Sequence, residues 1–295
     1  MRSLVPYCWM VSLLVSLYPA CALAQETGIT RRHHPWGCFE KGAWRRVRVV
    51  TETFNENEAL TSITETKTSL KEIEEDGVTL LVEVALEVGG KQLQQESQTV
   101  KQTWYGEPAN QDAKITDLGT GEVVVQGHKI PCKIQQVELT GPASKTTTKT
   151  YYSDEVEPFI LKRESVTTNL EGTNQLGEAT VEVMDVDVPC RLLASIRNTF
   201  HVKAVRKHAK GTETTVAFTS TRVPGGVIRQ TSNEFDSSGR LVRQSRLELL
   251  DYGLEPEEQW TGPLGRMRPG RLRTYRRESL RFPPYRLYWS LPSEE

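Results

Sequence analysis

The sequence predicts an all-β fold with minor α content, built as a large curved antiparallel sheet or open half-barrel, and three observations carry that expectation. Apolar residues recur at every second position, as in Val78, Leu80, Val82, Val84, Leu86 and Val88, which is the period of a strand with one buried face. Stretches rich in Thr, Val and aromatics follow one another closely between turn residues, the pattern of an antiparallel meander. Helix signals are poor: Leu60–Glu75 has acids and lysines at helical offsets, but its many threonines favour strand.

The 295 residues, 37% hydrophobic and 25% charged with a net charge of -1, suit one large β domain or two small ones. This composition excludes wholesale disorder and a membrane bundle. At the N-terminus, Arg2 precedes an apolar run from Leu4 to Leu17, and Ala22-Leu23-Ala24 offers a cleavage site. Residues 1–24 read as a signal peptide. The run is shorter than the roughly 20 residues that span a bilayer, and Pro6 and Pro19 interrupt it. Tyr18 stands three places before Cys21, where lipid attachment needs an aliphatic residue. The expectation is an exported protein, periplasmic or extracellular, with no transmembrane span, an N-terminal arm over 25–42, a β domain over 43–253 and a tail over 254–295.

Strands are predicted at Ala43–Phe54, Leu60–Glu72, Val78–Val88 and Lys91–Trp104, with Gly89-Gly90 as the hairpin turn between the last two. Further strands are predicted at Gly121–Gln126, Ile130–Leu139, Lys145–Tyr152, Phe159–Thr168, Glu178–Val188, Arg191–Val202, Thr212–Ser220, Gly226–Phe235 and Arg240–Tyr252. The chain also repeats itself weakly. Thr150-Tyr151-Tyr152-Ser153 through Lys162 can be laid over Ala217-Phe218-Thr219-Ser220 through Arg229, each copy downstream of a Pro-Cys element. Two related halves, around 130–168 and 188–235, are one reading; chance resemblance between hairpins is the other.

Three cysteines remain after cleavage: Cys38, Cys132 and Cys190. The similar frames Ile130-Pro131-Cys132 and Val188-Pro189-Cys190 make Cys132 and Cys190 the candidate disulfide in an oxidising compartment. Three buried thiols acting as small hydrophobes are the alternative.

Motifs for chemistry are sparse. His33-His34-Pro35-Trp36-Gly37-Cys38 holds residue types that bind zinc or copper, but adjacent histidines point apart in an extended chain and no second ligand cluster follows. The other reading is an arm docked by Trp36, Phe39 and Trp44. There is no Gly-x-Ser-x-Gly elbow, no phosphate-binding glycine loop and no cofactor motif. Asp185 and Asp187, on alternate strand positions, are the pair that would serve calcium or acid–base hydrolysis; a solvated strand face is the plainer reading.

The tail from Pro263 carries eight arginines against three acids, a net +5, among Tyr275, Phe282, Tyr285, Tyr288 and Trp289. Arg266, Arg268, Arg271, Arg273, Arg276 and Arg277 are candidates for contact with an anionic surface such as lipid headgroups, envelope polysaccharide or an acidic protein. A solubilising end without a partner is the alternative, and nucleic acid does not suit an exported chain.

The opening Pro35-Trp36-Gly37-Cys38-Phe39-Glu40-Lys41-Gly42-Ala43-Trp44 and the close Val223-Pro224-Gly225-Gly226-Val227 through Leu250-Asp251-Tyr252-Gly253 resemble a group of uncharacterised exported all-β bacterial proteins, over about residues 35–253. The architecture is similar to the half-barrels of lipoprotein carriers and outer-membrane lipoprotein receptors, which implies a curved sheet around a cavity for acyl chains. The expected function is a non-enzymatic envelope binding protein without cofactor. A lipid or other envelope component, or a partner protein, would lie on an apolar face of Val78, Leu80, Val82, Val84 and Leu86. The rivals are an envelope-polymer hydrolase and a structural or adhesive module.

Overall fold

The computed structural model describes residues 28–55, 59–88, 90–107 and 112–256. The predicted signal peptide and the tail arginines Arg266, Arg268, Arg271, Arg273, Arg276 and Arg277 lie outside the described residues. The strands are β1 (Trp44–Phe54), β2 (Ala59–Ile73), β3 (Gly77–Val88), β4 (Lys91–Gln94), β5 (Gln98–Thr103), β6 (Asp112–Val125), β7 (His128–Thr140), β8 (Ser144–Tyr152), β9 (Ile160–Asn169), β10 (Gln175–Leu192), β11 (Ser195–His208), β12 (Gly211–Thr219), β13 (Val227–Asp236) and β14 (Leu241–Gly253). Among the described residues the helical content is one 3-10 turn, Arg31–His33.

All strands join one antiparallel sheet in the order β4-β3-β2-β1-β14-β13-β12-β11-β10-β9-β8-β7-β6, with β5 beside β3. Two meanders, β1–β5 and β6–β14, are therefore joined by the pairing of the first strand with the last, in which Val47 faces Leu249 and Val49 faces Leu247. The chain passes from β5 on one edge to β6 on the other through residues 104–111.

That passage requires curvature. A flat sheet would hold β5 and β6, twelve places apart, at ~58 Å, while the nine residue steps from Thr103 to Asp112 reach at most ~32 Å. The packing agrees: β3 and β8 are nine places apart, ~43 Å on a flat sheet. Yet Leu70, Val78 and Leu80 share one cluster with Tyr152 and Ile160. The sheet is an open half-barrel, and the side that carries Val78 and Leu80 is its inner face.

Two further clusters line that curve. One gathers Val123, Val125, Cys132, Leu161, Val183, Phe200 and Val202, where the β6–β7 hairpin leans toward β10 and β11. The other gathers Val47, Cys190, Leu192, Val223, Ile228 and Leu249.

Several boundaries differ from expectation. The predicted break at Pro189 is absent: β10 runs from Gln175 through Leu192 and turns afterwards. Proline lacks a ladder donor, but β10 pairs with β9 only as far as Glu182, so Pro189 has a neighbour on the β11 side alone. Pro131 in β7 is placed likewise, since pairing with β8 begins at Lys133. The single return strand Lys91–Trp104 divides into β4 and β5, and one extra residue is taken up between Gln94 and Gln98. β6 begins nine residues before the predicted Gly121; its Gly119, at φ 84, sits in a bulge opposite Ile134, with Asp117 accepting the Gly119 N–H at 2.8 Å.

Candidate functional site

The N-terminal arm enters the curve between two turns built alike. The turn between β8 and β9 is closed by Ser153 N–H to Phe159 O (2.7 Å) and Phe159 N–H to Val156 O (2.9 Å). The turn between β12 and β13 is closed by Ser220 N–H to Gly226 O and Gly226 N–H to Val223 O, both 2.8 Å. Ser153 Oγ accepts from Glu155 N–H, and Ser220 Oγ from Arg222 N–H, each at 3.2 Å. Phe159 and Gly226 both have positive φ, 71 and 77. Every pair is offset by 67 residues. The offset continues into the strands: the register breaks at Tyr151/Tyr152 and at Phe218/Thr219, and the hydroxyl pairs Thr148–Ser165 and Thr215–Ser232 stand at 3.1 and 2.7 Å. Thr221 Oγ1 donates to Glu157 Oε2 at 2.7 Å and ties one turn to the other.

The arm uses side chains on the first turn and backbone on the second. Arg32 lies 4.6 Å over the Phe159 ring, and His33 meets Tyr152 and Phe159 edge to face. Gly225 N–H donates to Pro35 O at 3.0 Å. Trp36 and Phe39 are buried with Ile29, Leu70, Val78, Leu80, Trp104 and Ile160, so these two aromatics dock the arm as expected. Trp44 does not; its ring carries Arg46 and Lys67 at 5.6 and 5.3 Å, because β1 alternation turns it to the other face from Arg45.

Both arm histidines are held by hydrogen bonds. His33 Nδ1 accepts from Thr30 N–H (3.0 Å) and Nε2 lies 3.1 Å from Asp154 Oδ1. His34 Nδ1 accepts from Trp36 N–H (3.2 Å). Burial lowers the His33 pKa against the opposing pull of Asp154. Burial, then the nearby positive charge of Arg163, takes His34 down to about 3. Lys133, 2.7 Å from Asp154, holds that carboxyl below its ordinary range. Cys38 is exposed, with Sγ 3.7 Å from Arg32 O, and no metal-holding group of His, Cys, Asp and Glu occurs among the described residues.

Two arginines lie buried on the inner face. Arg163 Nη2 donates to Glu107 Oε1 at 2.8 Å. Arg45 Nη1 donates to Gly225 O at 2.9 Å, and its guanidinium sits 5.7 Å over Trp36. Gly225 is required there, since a Cβ at that position would stand 2.6 Å from Arg45 Cζ. Sequence reasoning passed over both arginines and Glu107. A charge at an inward strand position, Arg45 beside Val47 and Val49, was the available signal; Glu107, in a loop, offered none.

Of the expected apolar face, Val78 and Leu80 are covered by the arm. Val82 is half-buried, and Val84 and Leu86 are buried outside the three clusters, opposite Thr68, Thr66 and Thr64 of β2.

No family model and no curated protein matches the chain. Among solved structures it is similar to an exported protein with a YmcC-like fold from Bacteroides fragilis, at 9% identity and TM-score 0.30 over 73% of this chain and 97% of that one. It is also similar to an outer membrane lipoprotein-sorting protein domain from Vibrio parahaemolyticus (10%, TM-score 0.30, 72% and 84%). A third likeness is to a LolA superfamily protein from Nitrosomonas europaea (12%, TM-score 0.29, 75% and 89%). Likenesses of this degree carry no activity across.

Two expectations require correction. The Cys132–Cys190 bridge is not made: both are buried free thiols in different clusters, on strands three places apart. The alternation meant to bring Asp185 and Asp187 to one face is broken by register shifts on both sides of Asp185, with Asp187 at φ 58. Their partners also differ, Gln126 for Asp185 and Asn198 for Asp187.

Proposed function

We propose that this protein is an exported, non-enzymatic binding protein of the cell envelope that holds an apolar or lipid ligand on the inner face of its half-barrel. The observation that supports the reading is the patch of Val82, Val84 and Leu86 on β3 with Val49 on β1. It continues the inward face of Val78 and Leu80 beyond the arm but belongs to none of the three self-packed clusters. An apolar stripe on the inside of a curve suits an acyl chain better than a hydrated substrate. Export of the mature chain and contact of the tail arginines with an anionic surface belong to the same reading.

The test is native purification of the chain from residue 25, with mass spectrometry of the solvent extract and titration with a fluorescent fatty acid. The expected result is a co-purifying acyl lipid and a Val84→Asp variant that keeps its sheet circular dichroism while binding about tenfold or more weakly, a loss of ~1.4 kcal/mol. A clean extract together with binding indifferent to Val84→Asp would overturn the proposal.

A further inference from the structure

The two buried arginines of the inner face differ in one respect that ordinary packing does not account for. Arg163 has the carboxylate of Glu107 at 2.8 Å, with side-chain exposures of 6% and 3%. Arg45, 5% exposed, has a backbone carbonyl and an aromatic ring, and its Nε has no acceptor. Its neighbours across the ladder on the same face are Thr68 and Tyr252, neither of which supplies a negative charge. Removing a guanidinium from water without a counter-charge costs several kcal/mol, and stacking on one indole returns only ~1–2 kcal/mol.

Arg45 is not the only unsatisfied donor in this place. Trp36 Nε1 and Thr66 Oγ1 are also buried without a partner. Trp36 lies beneath the Arg45 guanidinium. Thr66 faces Val47, two residues along β1 from Arg45, so it is the diagonal neighbour of Arg45 on the same face. Indole N–H and guanidinium N–H donate only, and a hydroxyl can donate. Two groups that only donate and a hydroxyl, each without a hydrogen-bond partner among the described residues, suit an added acceptor, and the fixed positive charge favours an anion.

We infer that Arg45, Trp36 Nε1 and Thr66 Oγ1 form a binding site for a compact anion, a carboxylate or phosphate, at the arm end of the inner face. The planar guanidinium is fixed by Gly225 O at one nitrogen and by Trp36 below, which leaves its other donors for an incoming oxygen pair. The same face leads from Arg45 through Val47 and Val49 to Thr51, so the anion is either the head of a ligand whose apolar part lies along that line or a free inorganic ion. The first source rests on the proposed function; the second does not.

The experiment is calorimetric titration of the mature wild-type protein and of Arg45→Met and Thr66→Val with three probes: inorganic phosphate, dodecanoate and neutral dodecanol. Tighter binding of dodecanoate than dodecanol by about tenfold or more, with the advantage gone in Arg45→Met and reduced in Thr66→Val, supports a ligand headgroup. Phosphate binding that Arg45→Met abolishes, without dodecanol binding, supports a free ion and removes the apolar-ligand proposal while the anion site stands. Equal affinity for dodecanoate and dodecanol with no heat from phosphate overturns the site and leaves the apolar-ligand reading intact. Where Arg45→Met does not fold, Thr66→Val, which keeps the side-chain volume, decides the question by the same comparison.

Discussion

The turn between β8 and β9 and the turn between β12 and β13 have the same hydrogen-bond frame, the same positive φ at the last position and the same register break in the strands they join, yet they hold the arm by different chemistry. The first presents a surface of rings and charge: Phe159, Tyr152 and Asp154 receive Arg32 and His33. The second presents bare backbone: Gly225 gives its N–H to Pro35 and its carbonyl to Arg45. A shared hydrogen-bond frame thus serves as a platform where Phe159 closes it and as a socket where Gly225 opens it. The arm can be clamped from both sides only because the two differ.

The largest expected effect is from Trp36→Ala, which removes the side chain buried between the two turns. Its cost should be ~3–5 kcal/mol in chemical unfolding; a loss near that of an ordinary exposed residue would mean that the turns do not need the arm. Gly225→Ala should cost ~2–3 kcal/mol, because φ is 72 and the new methyl would displace Arg45. A loss within ~0.5 kcal/mol, as at an ordinary surface position, would erase the socket.

A smaller effect at moderate pH belongs to His34. Its folded pKa of about 3 lies below the ordinary 6.5, so the unfolded chain binds the proton more readily. The stabilisation is complete above pH 6.5 and fades as the pH falls toward 3. By pH 5 it should have declined by about 2 kcal/mol, and His34→Gln should flatten this acid limb of the pH–stability curve. An unchanged acid limb would show that the arm leaves the clamp before His34 matters. The smallest effects are expected from Thr148→Val and Thr215→Val, which break corresponding hydroxyl pairs. Each should cost about 1 kcal/mol, with the two values alike if the hairpins are built to one plan; a wide gap would confine their likeness to the turns.

Much of the strand content was legible because alternation is a local property. Val78 to Val88 reads as a strand whatever surrounds it, and the threonines of β2 outweigh its helix-like charges. Pro189 misled because whether proline interrupts a strand depends on which side has a neighbour, and β9 ends before reaching it. The patch at Val82, Val84 and Leu86 was legible as an apolar face. That Val78 and Leu80 belong to the arm was not, since the arm is about forty residues earlier in the chain. The charged inner positions Arg45 and Arg163 were visible as exceptions to alternation, but their partners lie 180 and 56 residues away.

By itself the amino-acid order determined which segments are strands, where most turns fall and which side chains share a face, because a two-residue period is set between immediate neighbours. Only the tertiary structure decided that the first strand pairs with the last, that the sheet curls until β3 and β8 share a core, and that one buried arginine meets a carboxylate while the other meets a glycine. Those outcomes depend on curvature accumulated over many strands, and no stretch of sequence short enough to show a period contains it.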